Sequence, residues 1–184
     1  MSHSTDILDE KTFTKFLNYT DIEGIIGSLA NQLNRDYAGE TLVLVGVLKG
    51  ACILMADLSR HLKMNVEVDF VRLTSAGGKE LKSSGTVSIL KDLTSDVRGK
   101  HVLIVEEIID SGRKLKFLYD RIKASQPASL EVLTFMDKRG KRLVDTPVKY
   151  VGRMIDDQFL VGYGLDLEEK CRNLPEIYFL KYPN

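Results

Sequence analysis

The sequence predicts an α/β protein: a twisted parallel sheet flanked by helices, with a small hood formed by the two ends of the chain. Three observations carry this. TLVLVGVL (41–48) and HVLIV (101–105) are continuous apolar, β-branched runs, the mark of strands covered on both faces. A segment with helical spacing follows each of them, ACILMADLSRHL (51–62) and the stretch around Leu115, Leu118, Tyr119 and Ile122. A chain of 184 residues, 43% hydrophobic and 28% charged, suits one such domain.

In order along the chain, Thr20-Asp21-Ile22-Glu23 has the pattern of a capping box. Ile22, Ile25, Ile26, Leu29 and Leu33 then recur at helical spacing, which predicts a helix from about Asp21 to Arg35. Gly39 breaks the chain before the first buried strand, and Lys49-Gly50 ends that strand. The apolar neighbourhood ACILMA places Cys52 in the core, the usual fate of a free cysteine. NVEVDFVRL (65–73) alternates like a strand, whereas TSAGGKELKSSG (74–85) has the composition of a loop. TVSIL (86–90) is a further strand, joined by KDLTSDVRGK to the second buried one. Pro127 closes the following helix, SLEVLTFM (129–136) resumes as strand, and MDKRGKR (136–142) is a basic loop. Short strands are expected at VKYVG, FLVGYG and EIYFL. A core over about 36–150 and a hood from about 1–35 and 151–184 follow.

The totals exclude several classes of function. Lys plus Arg (26) balances Asp plus Glu (26), so no global field recruits nucleic acid or an anionic membrane. No basic arm or DNA-binding segment is visible, and the glycine-rich pattern of dinucleotide binders is missing. Cys52 and Cys171 form no CxxC unit, which argues against zinc and disulfide and fits a reducing cytoplasm. MSHSTDILDEK lacks the basic and apolar regions of a signal peptide, and no apolar run approaches bilayer length. A cytoplasmic protein is expected, with no nucleic-acid and no membrane partner.

Parallel α/β sheets take their ligands at the carboxyl ends of the strands. The three ends of interest follow Leu48, Val105 and Phe135. At the second, VLIVEEIIDSGRKLKFL (102–118) runs from a buried strand through two glutamates into a polar turn and a helix beginning near Lys114. The first amides of a helix have no internal partner, and the dipole adds positive potential, so the turn is a natural phosphate cradle. Ser111 offers a hydroxyl and Gly112 permits close approach. Glu106 and Glu107 suit either Mg2+ or ribose hydroxyls. Taken alone, such a turn reads as well as a solvated loop, with Asp110 as a helix cap. By the same token a strand-end lysine is simply solvated, KRGKR is an exposed basic loop, Arg172 pairs with Glu168 or Glu169, and Phe159 and Leu160 pack in a core.

The stretch resembles the phosphoribosyl pyrophosphate signature of purine phosphoribosyltransferases, in which an apolar strand ends in two acids, two apolar residues and Asp-Thr-Gly. VLKGA (47–51), DFVRLTS (69–75), SSG (83–85), DK (137–138) and FLVGYGLDLEEKCRNLP (159–175) come in the order seen in hypoxanthine-guanine phosphoribosyltransferases. The resemblance thus runs from about Leu42 to Leu180 and implies the type I phosphoribosyltransferase fold. It implies purine salvage: hypoxanthine or guanine displaces pyrophosphate from C1 of phosphoribosyl pyrophosphate, giving IMP or GMP, with Mg2+ as cofactor. By this resemblance Asp110 is the general base near purine N7. Glu106 and Glu107 meet the ribose hydroxyls and a Mg2+. Ser111, Gly112, Arg113 and Lys114 cradle the 5′-phosphate, together with Asp110. Lys49, preceded by a cis peptide, Gly50 and Arg172 bind pyrophosphate. Lys138 reads the oxygen at C6, Phe159 stacks on the purine, and Leu160 contacts the base edge through its backbone. Asp166 meets the 2-position edge and a second Mg2+, and Ser75, Ala76 and Gly77 belong to a mobile flap. A homo-oligomer, tetramer or dimer, is implied as well.

Five positions depart from the family pattern. Glu107 stands where Asp is usual, Ser111 and Lys114 stand for Thr, and Ala76 and Cys171 stand for Tyr. None removes the base, the cradle or the 6-oxo reader. Two other readings keep the fold: a transferase preferring xanthine, and a regulator that senses phosphoribosyl pyrophosphate without chemistry. The regulator could dispense with Asp110, Lys49, Lys138 and Phe159, all of which are present.

Overall fold

Residues 13–75 and 87–180 are described by a computed structural model. The predicted flap residues Ala76 and Gly77, and SSG at 83–85, lie outside them; Ser75 is described only as the last residue of a strand. Along the chain run β1 (Phe13–Leu17), α1 (Tyr19–Asp36), β2 (Thr41–Leu48), α2 (Cys52–His61), β3 (Asn65–Ser75), β4 (Val87–Lys91) and β5 (His101–Ile109). There follow α3 (Arg113–Ala124), β6 (Ser129–Asp137), a 3-10 turn at Arg139–Lys141, β7 (Tyr150–Met154), β8 (Leu160–Val161) and β9 (Ile177–Leu180).

The two continuous apolar runs lie side by side. β2 pairs in parallel with β5, Val43 opposite Val102 and Val45 opposite Ile104, in the middle of a six-stranded sheet of order β4-β3-β2-β5-β6-β7. Only β4 runs antiparallel to its neighbour. Central strands with both faces covered have no side that meets water, which is why residues 42–48 and 102–105 carry no polar side chain. Alternate residues serve opposite cores. Leu42, Leu44, Leu103 and Val105 pack with α1 and α2, whereas Val43, Val45, Val102 and Ile104 pack with α3. Gly46 lets α2 come close to β2, since a Cβ there would lie 2.8 Å from Met55 Cγ and from the Phe70 ring.

Three local expectations differ from the structure. The helix cap is Asn18 rather than Thr20. The Asn18 side chain accepts from the Asp21 amide at 2.9 Å, and the Asp21 carboxylate accepts from the Asn18 amide at 3.0 Å. Asn caps better than Thr, and Asp21 completes the reciprocal box, so α1 begins earlier. Cys52 is exposed, not core. The stripe of α2 that faces the sheet is Ala51, Leu54, Met55 and Leu58, which leaves Cys52 turned to solvent. Finally, α1 lies across the main sheet instead of belonging to the hood. Its Ile22, Ile26, Leu29 and Leu33 share one core with Leu44, Leu103, Phe135 and Tyr150. A long apolar stripe needs a wide apolar partner, and the sheet face is the one available.

The hood is a second, antiparallel sheet of order β1-β9-β8. Its strand β1 was not foreseen: FTKFL is short, and its partner lies at the other end of the chain, Phe13 opposite Leu180. Among the described residues no helix is long and apolar enough to cross a membrane.

The segment after β4 is held by one buried carboxylate. Asp69 accepts from the amides of Phe70 (2.7 Å), Thr94 (2.7 Å) and Ser95 (2.9 Å), from the Thr94 hydroxyl (3.1 Å) and from Lys91 Nζ (3.1 Å). Burial alone would push this carboxyl up, but the amides of Ser95, Thr94 and Phe70 and the Lys91 ammonium hold it far below the usual range. A depressed folded pKa means stability that is present above the ordinary Asp value and is lost as pH falls toward the folded one. Asp69→Asn should therefore cost about 2–4 kcal/mol at neutral pH, because an amide donor would face amide donors. The gap should narrow below about pH 4, where the same carboxyl in the unfolded chain starts to protonate. Urea midpoints across pH 7 to 3 check this; a pH-independent gap would contradict the ionised anchor.

Candidate active site

β2 pairs with β3 on one side and with β5 on the other, so the chain leaves these two strands in opposite directions. The crevice at their carboxyl ends is the switch point where open α/β sheets take ligands. A cleft of about 440 Å³ lies there, lined by Lys49 and Gly50 after β2, by Arg72 on β3, by residues 106–112 and Lys114, and by Leu165, Asp166, Glu169 and Arg172 of the hood.

The two glutamates lie where the side chains of β5 exchange cores while its pairing with β6 keeps one register. Val102 and Ile104 face the α3 core and Val105 the other, yet Ile108 packs toward α1 and α2 while Ile109 returns to the α3 side. The alternation reverses across Glu106-Glu107, and both carboxylates line the cleft. Glu107 is 3% exposed. A Cβ on Gly50 would overlap its Oε2, and one on Gly164 would lie 2.9 Å from its Oε1. Gly164 also has φ of +97°, so two conditions call for glycine there. Glu107 Oε1 has no hydrogen-bond partner. Burial pushes the Glu107 carboxyl well above the usual range, Arg172 draws it down, and Glu106 and Asp166 add to the rise. Desolvation pushes Glu106 up to about 8, against the pull of Lys114.

Opposing these acids are cations that are already engaged. Arg172 donates to the Gly164 carbonyl at 2.8 Å and meets Asp166 at 2.8 Å and Glu169 at 3.3 Å, while its buried Nε has no partner. Lys49 meets the same Glu169 carboxylate at 2.7 Å. Lys49 and Arg172 together hold the Glu169 carboxyl below its ordinary value. Gly162, Tyr163, Gly164, Glu168, Glu169 and Cys171 all have positive φ, which curls the hood segment so that Asp166, Glu169 and Arg172 reach the cleft. The Leu48–Lys49 peptide is cis, as the family resemblance implies.

The turn after β5 keeps its amides available. The N-cap of α3 is Gly112, with φ of +77° and no side-chain cap, so Asp110 does not cap the helix. Asp110, Ser111, Gly112 and Lys114 line the cleft; Arg113 is exposed and lies outside its lining. Lys138, just after β6, Phe159, just before β8, and Leu160, the first residue of β8, also lie outside that lining. Lys138 is largely buried and meets Asp157 at 3.3 Å, Phe159 is 36% exposed, and Leu160 is buried. Sequence reasoning alone misses Arg72, which stands opposite Leu48 in the β2–β3 register and so beside Lys49. Its signal was a lone cation at the carboxyl end of a strand.

Fold and cleft define the class: a mostly parallel α/β protein with a turn free of side-chain caps and a pair of glutamates at the switch point of its sheet. Comparison with known proteins takes this further. The family described as Phosphoribosyl transferase domain matches residues 15–168. A hypoxanthine-guanine phosphoribosyltransferase of Staphylococcus aureus is 43% identical over 166 residues, 90% of this chain and 92% of its own. One from Streptococcus pneumoniae is 42% identical over 90% of this chain and 91% of its own. A solved hypoxanthine phosphoribosyltransferase of Staphylococcus aureus superposes with a TM-score of 0.91 at 39% identity, covering 99% of this chain and 100% of that one. The chain belongs to the phosphoribosyltransferase family, among the hypoxanthine-guanine phosphoribosyltransferases, and has the type I fold.

A carboxyl with a raised folded pKa favours the protonated folded state, so it costs stability increasingly as pH climbs from the ordinary value toward the raised one. Glu106→Gln should thus raise the melting temperature of the ligand-free protein in EDTA, and by more at pH 8 than at pH 5. Equal gains at both pH values would show that desolvation of the charge is not the cause.

Proposed function

We propose that the protein is a Mg-dependent hypoxanthine-guanine phosphoribosyltransferase of purine salvage, joining phosphoribosyl pyrophosphate to hypoxanthine or guanine to give IMP or GMP and pyrophosphate. The observation that carries the reading is the cleft, where the acid pair, the uncapped turn and the cations of two separate loops surround one switch point. The names of the relatives support the hypoxanthine-guanine reading over the xanthine one. Asp110, Lys49 and Lys138, which a sensor could lose, favour chemistry over sensing.

In this reaction the C1–pyrophosphate bond breaks while C1 gains oxocarbenium character, so handling of charge and position dominates catalysis. The amides of Ser111 to Lys114 and the Lys114 ammonium bind the 5′-phosphate. Glu106 and Glu107 accept from the ribose hydroxyls. Lys49, Gly50 and Arg172 take the pyrophosphate, which replaces Glu169 and Asp166 as the anion facing the two cations. Asp110 removes the proton from purine N7 as the new glycosidic bond forms. Lys138 donates to the oxygen at C6, which selects 6-oxopurines over adenine. Phe159 stacks on the base, Leu160 meets its edge through the backbone, and Asp166 meets its 2-position side.

The residues fit Mg2+. Glu107 Oε1 is a buried carboxyl oxygen without a partner, beside Glu106 and Asp166. Among the described residues no three His, Cys, Asp or Glu side chains form a ready-made metal cluster. Mg2+ characteristically takes one or two carboxylates and fills its remaining positions with substrate oxygens and water. When bound, the ion neutralises charge on the pyrophosphate. A homo-oligomer, tetramer or dimer, in the cytoplasm completes the reading.

The test is nucleotide formation from phosphoribosyl pyrophosphate with hypoxanthine, guanine, xanthine or adenine, with and without Mg2+. Metal-dependent IMP and GMP formation without AMP is expected, and faster XMP formation would favour the xanthine reading. Binding of phosphoribosyl pyrophosphate without turnover of any base would sink the enzyme reading. Asp110→Asn should lower kcat about 10²–10⁴-fold, the usual share of a general base. Affinity for phosphoribosyl pyrophosphate should change far less, as isothermal calorimetry can check.

A further inference from the structure

Asp137 ends β6 with a side chain that is 1% exposed, and its partner Arg142 is 13% exposed. The guanidinium meets the carboxylate side-on, Nε to Oδ1 at 3.1 Å and Nη2 to Oδ2 at 2.8 Å. Its third nitrogen, Nη1, donates to the Thr146 carbonyl at 3.1 Å. One side chain thus ties together the two ends of the segment 138–146. That segment is laid against the turn after β5 at several points. The Lys138 amide donates to the Ile109 carbonyl at 3.0 Å, and the Leu143 amide donates to the Ser111 carbonyl at 3.0 Å. A Cβ on Gly112 would lie 3.1 Å from the Val144 carbonyl oxygen.

A solvated basic loop needs no such pair. Stability is a weak reason for it, because apolar side chains of similar volume often replace a buried ion pair at no cost. Geometry supplies a better reason. The segment carries Lys138 at one end and braces the Ser111-Gly112 turn in its middle, so it spans the two places where the proposed nucleotide product would be held. We infer that Asp137 and Arg142 are positioning residues: their ion pair fixes Lys138 relative to the phosphate turn, so that one rigid span reads both ends of the nucleotide. The inference rests on the proposed function for the identity of the ligand.

The test uses the full chain with two variants. Asp137→Leu/Arg142→Met replaces the pair by apolar side chains, and Arg142→Lys keeps a positive charge but loses the planar fork. Urea stability, KM and kcat are measured for each, together with affinity for IMP and for ribose 5-phosphate by calorimetry. The expected result is near-native stability with IMP affinity and kcat/KM down about tenfold to a hundredfold, the scale of a misplacement of about 1 Å. The loss should be smaller for ribose 5-phosphate, which occupies only the turn. Wild-type affinity for IMP in a folded variant, or equal losses for the two ligands, would overturn the inference. If the double variant does not fold, Arg142→Lys decides alone by the same comparison. A wild-type protein that binds IMP but transfers no phosphoribosyl group defeats the enzyme reading, while the affinities still decide the clamp. Failure of the wild type to bind IMP overturns both.

Discussion

One buried carboxylate organises the upper half of this molecule. Glu107 sits where three pieces of chain meet: the turn after β2, the end of β5 and the curled hood segment. Both of its neighbours are glycines because nothing larger fits beside the carboxylate. The desolvation cost of holding it there is borne by the apolar strands beneath, since Val43, Val45, Leu103 and Val105 are all fully buried. Locally unsatisfied sites supported by consistent structure elsewhere are the usual signature of function. Two of the buried polar atoms without a partner, Glu107 Oε1 and Arg172 Nε, belong to residues that line the cleft.

Acids and cations of the cleft pair with one another. Asp166 and Glu169 occupy Arg172 and Lys49, and the Lys49–Glu169 pair ties the hood to the end of β2. An anionic substrate would compete for the same cations, which couples occupancy of the cleft to the hold of the hood on the sheet. Two of the departures from the family pattern, Glu107 and Lys114, belong to this electrostatic arrangement. Glu107 is longer than the usual Asp and reaches into the space between two glycines. Lys114, in place of a hydroxyl, exerts a field that draws down the carboxyl of Glu106, which a threonine could not do. Cys171 fills a small cluster with Val161, Leu174 and Tyr178, where its size matters more than its chemistry.

Much of this was legible in the sequence. The doubly buried strands announced themselves as uninterrupted apolar runs, and the resemblance to a known family pointed to ten residues that line the cleft: Lys49, Gly50, Glu106, Glu107, Asp110, Ser111, Gly112, Lys114, Asp166 and Arg172. Local signals misled where two readings were locally equivalent. Thr20 and Asn18 both suit a cap, and only the backbone entering α1 chose between them. Cys52 sits in an apolar run, but burial depends on which arc of the helix meets the sheet.

The sequence by itself determined the periods: which segments are strands or helices, which strands are buried on both faces, and where charge must gather at their ends. These follow from each residue's own neighbours along the chain, because periodicity and turn chemistry are local properties. Only the tertiary structure decided the partnerships. It paired β1 with β9 across the whole chain, set Arg72 beside Lys49, joined Asp137 to Arg142 and left Glu107 Oε1 without a partner. Such facts depend on which surfaces meet once the apolar faces are buried, and no spacing along the chain encodes the distance between two side chains on different strands.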